Sequence, residues 1–291
     1  MLTYYIVYSF SCVIGWLPYK VQFIISDIVR WVLHRVVRYR VRVVRQNLSD
    51  SFPEWSRAEL MEAENNFYKH LADVFLETIS MASVSRKAIC KRMDFTNVDH
   101  IETLTEGRSW ISAMAHYGSW EYTVNYALRT RHDEVLAVYR PLASKSFDKY
   151  YRKTRSRFGV TPVPMKEVAR EIFRRQASGN AVAIAMIADQ TPPWPSIQNW
   201  TMFLGRETPF FMGMEKIALK FGLPVAFLHV DKVSRGYYKA WFEIIYDGTE
   251  EVPEHEITRR YAAKLEEMIR RRPELWMWSH RRWKHKKKDV A

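Results

Sequence analysis

From residue 109 onward the chain alternates short apolar runs with longer amphipathic stretches, and this alternation limits the possible folds more than any other feature. The runs are "WISAMA" (110–115), "VLAVY" (135–139), "AVAIAMIA" (181–188), "LPVAFLHV" (223–230) and "KAWFEIIY" (239–246). Each is strand-like in length and bracketed by turn residues. The intervening "YTVNYALRT", "FDKYYRKTRSRF", "KEVAREIFRRQA" and "MGMEKIALKFG" read as helices. Such an order predicts an α/β fold with a mostly parallel central sheet flanked by helices. The last two strands are expected to pair through the turn near "SRGYY". Upstream, after Pro53, apolar residues at Leu60, Phe67, Leu71, Phe75 and Ile79 recur at helical spacing, and Ser56 with Glu59 forms a capping box, so a helical region is expected up to about residue 90. The longest irregular piece is "DQTPPWPSIQNWTMFLGRETPFF" (189–211), with four prolines. It follows a predicted strand, and ligands of open α/β sheets bind beyond the carboxyl ends of strands, so it is expected to be functional.

Charge points to the partners. With 45 Lys and Arg against 32 Asp and Glu, the formal charge of +13 favours phospholipid, nucleic acid or an acidic carrier protein. Cys12 and Cys90 are the only cysteines, with no CxxC and no Cys/His cluster at zinc spacing; neither a disulfide scaffold nor a metal is indicated. From Leu2 to Tyr19 there is no charge over 18 residues. A helix of that length rises about 27 Å, close to the ~30 Å hydrocarbon thickness of a bilayer. Gly15 and Pro18 interrupt it, and no cleavable signal pattern is present, so the reading is a retained membrane anchor, spanning or partly buried. The next stretch, "IVRWVLHRVVRYRVRVVRQNL" (28–48), has six arginines and no acidic residue. Arg35, Arg38, Arg42 and Arg45 fall on one stripe of a helix, which suits an anionic headgroup surface or a solvated basic face, and which places the body on the cytosolic side. That stretch alone fits nucleic acid too, but no zinc finger, RRM signature or basic zipper accompanies it, so no nucleic acid is expected. With no internal repeat or Gly/Ser linker, the chain divides into an anchor and basic helix (1–48) and one domain (49–291), helical over 49–108 and α/β over 109–291. The terminal "RRWKHKKK" (281–288) is either solvated or a second contact to anionic lipid.

The candidate chemistry lies in "AMAHYGSWEY" (113–122), where an apolar run ends at His116, Gly118 permits a tight turn, and Ser119 is placed to cap the helix that carries Glu121. A carboxylate that accepts a hydrogen bond from one imidazole nitrogen fixes the tautomer, so that the other nitrogen can take a proton from an alcohol. No serine nucleophile is required, because the substrate supplies the hydroxyl. H-x4-E by itself is a common accident of sequence.

Its company is more specific. The ordered set "YRVRVVRQNLSDSFPE" (39–54), "HYGSWE" (116–121), "VYRP" (138–141), "YYRKTRSRFG" (150–159), "ADQ" (188–190), "FLG" (203–205) and "WMWSHRRW" (276–283) resembles the bacterial lipid A biosynthesis acyltransferases, the lauroyl and myristoyl transferases within the H-x4-D/E glycerolipid acyltransferases. The resemblance covers almost the whole chain and implies that 49–291 is an acyltransferase domain at the bacterial inner membrane. It implies acyl carrier protein as donor, bearing its own phosphopantetheine with no further cofactor, and a lipid A precursor as acceptor. In that scheme His116 deprotonates the acceptor hydroxyl and Glu121 orients it. Arg155 steadies the oxyanion or an acceptor phosphate, and Asp189 organises that arginine. Arg140, Gln190, Tyr117 and Gly118 are the expected substrate contacts, while Met114 and Met186 are placed to set the depth of an acyl groove or to be plain core. The register around Arg152, Arg155 and Arg157 is open. "TPPWPSIQNW" after "ADQ" departs from the better-known members, which leaves acceptor and donor less fixed than reaction type. The rivals are an acyltransferase for another membrane lipid, with acyl-CoA as a possible donor, and a non-catalytic anionic-lipid-binding module.

Overall fold

All five apolar runs become strands of one sheet. The computed structural model describes residues 2–105 and 107–287. Helices α1 (Leu2–Trp16), α2 (Tyr19–Trp31), α3 (Val41–Ser51), α4 (Arg57–Ser80) and α5 (Arg86–Arg92) come first. The chain continues through β1 (Met93–Phe95), α6 (Val98–Thr105), β2 (Trp110–Met114), a 3-10 helix (Trp120–Leu128), β3 (Glu134–Tyr139), α7 (Lys145–Ser156), β4 (Val160–Pro164), α8 (Val168–Ala177) and β5 (Val182–Ile187). It closes with β6 (Trp200–Phe203), β7 (Arg206–Pro209), α9 (Gly213–Phe221), β8 (Val225–Ser234), β9 (Tyr237–Tyr246) and α10 (Glu256–Arg271). The main sheet has the order β1-β9-β8-β2-β5-β3-β4, parallel at every pairing but the β8–β9 hairpin. Every residue of central β2 is buried, as expected of a strand covered on both faces.

Two strands escape the sequence pattern for physical reasons. Strand β4, "VTPVP", carries two prolines, which cannot donate to a ladder and are tolerated because β4 is an edge. β1 is only three residues long. The segment 189–211, expected to be irregular throughout, contains the antiparallel β6–β7 hairpin. Its two-residue turn puts Leu204 at φ +49° and Gly205 at φ +71°, the mirror-image geometry that matches strand twist, with leucine where asparagine is usual.

The N-terminal expectations are partly overturned. Pro18 separates α1 from α2, and among the described residues no helix is long and apolar enough to cross a membrane. The single basic helix over 28–48 is also broken. A π-helical turn (Val32–Val36) follows α2, Arg38 and Arg40 take left-handed φ of +53° and +51°, and α3 starts at Val41. The four arginines therefore share no stripe: Arg35 lies in the π-helical turn, Arg38 in the left-handed break, and Arg42 and Arg45 in α3, where Arg45 is paired with Glu64 of α4 at 2.6 Å; Arg40, also in the break, donates to the Ser279 carbonyl at 2.9 Å.

Helix α4 begins with the expected capping box, Glu59 N–H donating to Ser56 Oγ at 3.3 Å and Ser56 N–H to Glu59 Oε2 at 2.7 Å. It buries Phe67, Tyr68, Ala72, Val74 and Leu76, whereas Phe75 points outward. Its buried Asp73 accepts from Arg235 of the β8–β9 turn and from Ser26 of α2, which ties the N-terminal helices to the sheet.

Candidate active site

Strand register builds the site. In the parallel β2–β5 pair Met114 stands opposite Ile187, so two residues past each of these positions His116 and Asp189 are again abreast, at the carboxyl edge of the sheet. Asp189 Oδ1 accepts from His116 Nδ1 at 2.8 Å, and Oδ2 accepts from the His116 backbone N–H at 3.1 Å and from Trp276 Nε1 at 2.8 Å. Asp189 is buried, and desolvation pushes its carboxyl up. The His116 charge and the hydrogen bonds from His116 and Trp276 outweigh this and hold it below the ordinary carboxylate range. With Asp189 ionised, Nδ1 carries the imidazole proton and Nε2 is left as a base. Nε2 has Gln190 Nε2 at 3.4 Å, the Trp120 ring lies edge-on to the imidazole at 5.3 Å between centroids, and the His116 side chain is 21% exposed.

Glu121 does not hold His116. Its buried carboxylate receives Arg155 Nε at 2.9 Å and Nη2 at 2.6 Å, a bidentate pair that carries α7 to the 3-10 helix. Desolvation raises Glu121 and the Arg155 charge and hydrogen bonds lower it, with a smaller lowering from His116; the net shift is down. The imidazole and Glu121 are thus within electrostatic reach, but the expected partners are exchanged: Asp189 orients His116, and Glu121 rather than Asp189 organises Arg155. Asp189 reaches the imidazole by strand register, while Glu121, on the 3-10 helix Trp120–Leu128, is engaged by Arg155 of α7. Ser119 makes no side-chain cap.

The other expected contacts separate. Gly118 has φ +59°, and a Cβ there would come within 2.7 Å of Val230 Cγ1, so glycine is needed for the backbone. The Tyr117 hydroxyl donates to the carbonyls of Met268 and Arg272, each at 3.0 Å, so it fastens the turn to α10 and offers nothing to substrate. Arg140 is exposed at the end of β3. Met114 packs with Trp120, Leu228 and Met268 around a crevice with no room for a water molecule, and half-buried Met186 lies outside it. Of the uncertain arginines, Arg157 binds the carbonyls of Met81 and Val84, and Arg152 is exposed on α7.

A scan against families matches residues 1–285 to the model described as bacterial lipid A biosynthesis acyltransferase. The chain belongs to that family. A stretch of 131 residues, 44% of the chain, is 27% identical to the lipid A biosynthesis acyltransferase of Haemophilus influenzae. The match spans 40% of that relative's length.

Within this family member, sequence reasoning missed the C-terminal clamp. The Gly118 N–H donates to the Leu275 carbonyl at 2.9 Å, the Met277 N–H to the His116 carbonyl at 3.2 Å, and Tyr117 bridges Trp276. Beyond it, His280 Nε2 accepts from the Thr191 N–H at 3.2 Å, and burial pushes the ring down to about 4, so it stays neutral. Buried Arg282 lies over Phe210 at 4.5 Å; desolvation pulls it down to about 9 against the charge of Asp189. The only signal for these residues was the density of tryptophan and arginine in "WMWSHRRW".

Proposed function

We propose that the chain transfers a fatty acyl group from the thioester of acyl carrier protein to a hydroxyl of a lipid A precursor. His116 Nε2 takes the hydroxyl proton as the oxygen attacks the thioester carbonyl. Asp189 keeps the imidazole in the required tautomer and stabilises the imidazolium. The tetrahedral adduct collapses with cleavage of the C–S bond, and the imidazolium returns the proton to the departing phosphopantetheine thiolate. Arg155, with two donors engaged by Glu121, has Nη1 left to steady the oxyanion. The observation that carries the reading is the His116–Asp189 pair at 2.8 Å at the carboxyl end of two parallel strands, on a histidine whose side chain is partly exposed.

Membrane association at the cytoplasmic face of the inner membrane is part of the proposal. Tyr5, Ile6, Phe10, Val13 and Trp16 of α1 and Ile24, Ile28 and Trp31 of α2 are exposed, and Lys20, Arg30 and Arg35 accompany them. Two short helices with such a face suit burial in one leaflet better than a crossing. The test is mass spectrometry of lipid products after the purified protein is incubated with acyl carrier protein charged with different fatty acids and with a lipid A precursor. Transfer that is lost in His116→Ala, with vesicle association retained, is expected. Undiminished transfer in that variant refutes the mechanism, and acylation of a different lipid refutes the acceptor.

A further inference from the structure

The outer face of α7 carries a second feature that the acyl-transfer chemistry does not use. Lys145, Lys149, Arg152 and Lys153 follow steps of four, three and one, which places them on one stripe of the helix. They line a cleft of about 760 Å³ whose far walls are Pro141 and Pro162. All four are exposed, and among the described residues none has a carboxylate within ion-pair distance, whereas many acidic side chains elsewhere are taken by an arginine or lysine. The one acidic lining residue, Asp148, already accepts the Leu142 N–H at 3.0 Å. Four cations against this one carboxylate leave an excess of positive charge, and the repulsion among them is relieved when an anion sits among them.

Two contacts place the cleft. Lys149 and Lys153 lie over the rings of Tyr4 and Tyr8 of α1, at 4.7 and 4.3 Å, so its edge adjoins the helix whose other side exposes Tyr5, Ile6, Phe10 and Val13. Arg155, one turn beyond Arg152, reaches Glu121 beside the imidazole. The cleft therefore lies between the apolar α1 face and the reacting groups. A concave site with rigid proline walls suits a compact, doubly charged group, whereas an acidic protein domain docks on a broad surface. We propose that this cleft binds a phosphomonoester on the sugar head group of the glycolipid acceptor, and so orients the acceptor hydroxyl toward His116. The proposal rests on the acyl-transfer reading for its acceptor, though not for its binding site.

The test uses Lys149→Ala/Arg152→Ala beside Lys87→Ala/Lys91→Ala, which removes the same charge from exposed positions of α5. Sedimentation with phosphatidylcholine vesicles that contain a bisphosphorylated lipid A precursor, or the same lipid after phosphatase treatment, reads binding without catalysis. Wild type and the α5 variant are expected to prefer the phosphorylated lipid by about tenfold, and the α7 variant to lose that preference. In the transfer assay the α7 variant raises KM for the phosphorylated acceptor by a similar factor and leaves KM for the acyl carrier protein alone. Equal binding of the two lipids by wild type, or an undiminished preference in the α7 variant, overturns the proposal. A defect confined to KM for the carrier protein overturns it in favour of protein docking. Failure of wild type to transfer acyl groups at all strikes the reaction and not the cleft, since sedimentation still decides the latter.

Discussion

The exchange of carboxylates is most sharply tested by Asp189→Asn. Oδ2 of Asp189 receives two N–H donors, from the His116 backbone and Trp276, while Oδ1 receives one, from Nδ1. An asparagine has one accepting oxygen and one donating amide. If its oxygen faces the two donors, its amide faces Nδ1, which must then give up its proton, and Nε2 becomes protonated and useless as a base. The opposite orientation sets an amide against two buried donors, so the first is favoured. Loss of the charge acts in the same direction: at an effective dielectric of about 20, an imidazolium and a carboxylate with charge centres roughly 3.5 Å apart attract by about 5 kcal/mol, which bounds the effect at between about three and four decades of rate. A fall in kcat of about a thousandfold is therefore expected, with near-native circular dichroism. Double-mutant cycles complete the test. Asp189→Asn should be non-additive with His116→Ala, and Glu121→Gln should be non-additive with Arg155→Met but nearly additive with Asp189→Asn. Strong coupling of Glu121 to His116 together with a mild Asp189→Asn would restore the local H-x4-E pairing and refute the register argument.

Further outcomes follow from the same contacts. Trp276→Phe keeps the ring packed against Trp278 but removes the donor to Asp189 Oδ2; steady-state kinetics should show about a tenfold loss of kcat, consistent with a lost hydrogen bond to a charged group. Gly118→Ala combines a left-handed backbone, at roughly 1–2 kcal/mol, with the 2.7 Å approach to Val230, at roughly 1–3 kcal/mol; in urea denaturation, adding Val230→Ala should restore only the second part. Burial raises the Glu77 carboxyl to about 7, with Asp73 adding to the rise. The folded state then holds a proton that the unfolded chain releases near its ordinary 4.5, so this contribution is complete below about pH 4.5 and is lost as pH rises to about 7. Glu77→Gln should flatten the fall in melting temperature between pH 5 and 7 (about the window set by those two values), and an unchanged slope would exclude Glu77 as its source.

Much of the fold was legible because a buried parallel strand announces itself as a continuous apolar run, as "WISAMA" and "AVAIAMIA" do. What was not legible was set by distant partners. Nothing local breaks the helix at 37–40, where neither proline nor glycine occurs; the left-handed turns there are held by Arg40 on the Ser279 carbonyl and by the Tyr68 hydroxyl on the Tyr39 carbonyl. The site shows the same division. His116, Glu121, Arg155 and Asp189 were each picked out, but spacing along the chain favoured the neighbour five residues on, whereas the imidazole turned to a residue that arrives from a strand 73 positions away. Only register could decide between the two carboxylates.

The C-terminal segment shows why this geometry depends on the whole chain. Asn47 of α3 donates to the carbonyls of Trp278 and His280 at 2.8 and 2.9 Å, and Arg40 fixes Ser279 between them. The segment so held presents Trp276 to Asp189, Leu275 to Gly118 and Met277 to His116. The basic N-terminal region, read from sequence as a surface for lipid, thus also supports the turn that carries the imidazole. Its arginines divide by partner: Arg40 is held by the Ser279 carbonyl and Arg45 by Glu64, while exposed Arg35 and Arg42 form no ion pair among the described residues. Replacing the exposed pair should weaken vesicle binding and leave kcat on detergent-solubilised acceptor intact. Asn47→Ala should do the reverse, because the carbonyls it satisfies belong to the clamp and not to the membrane face.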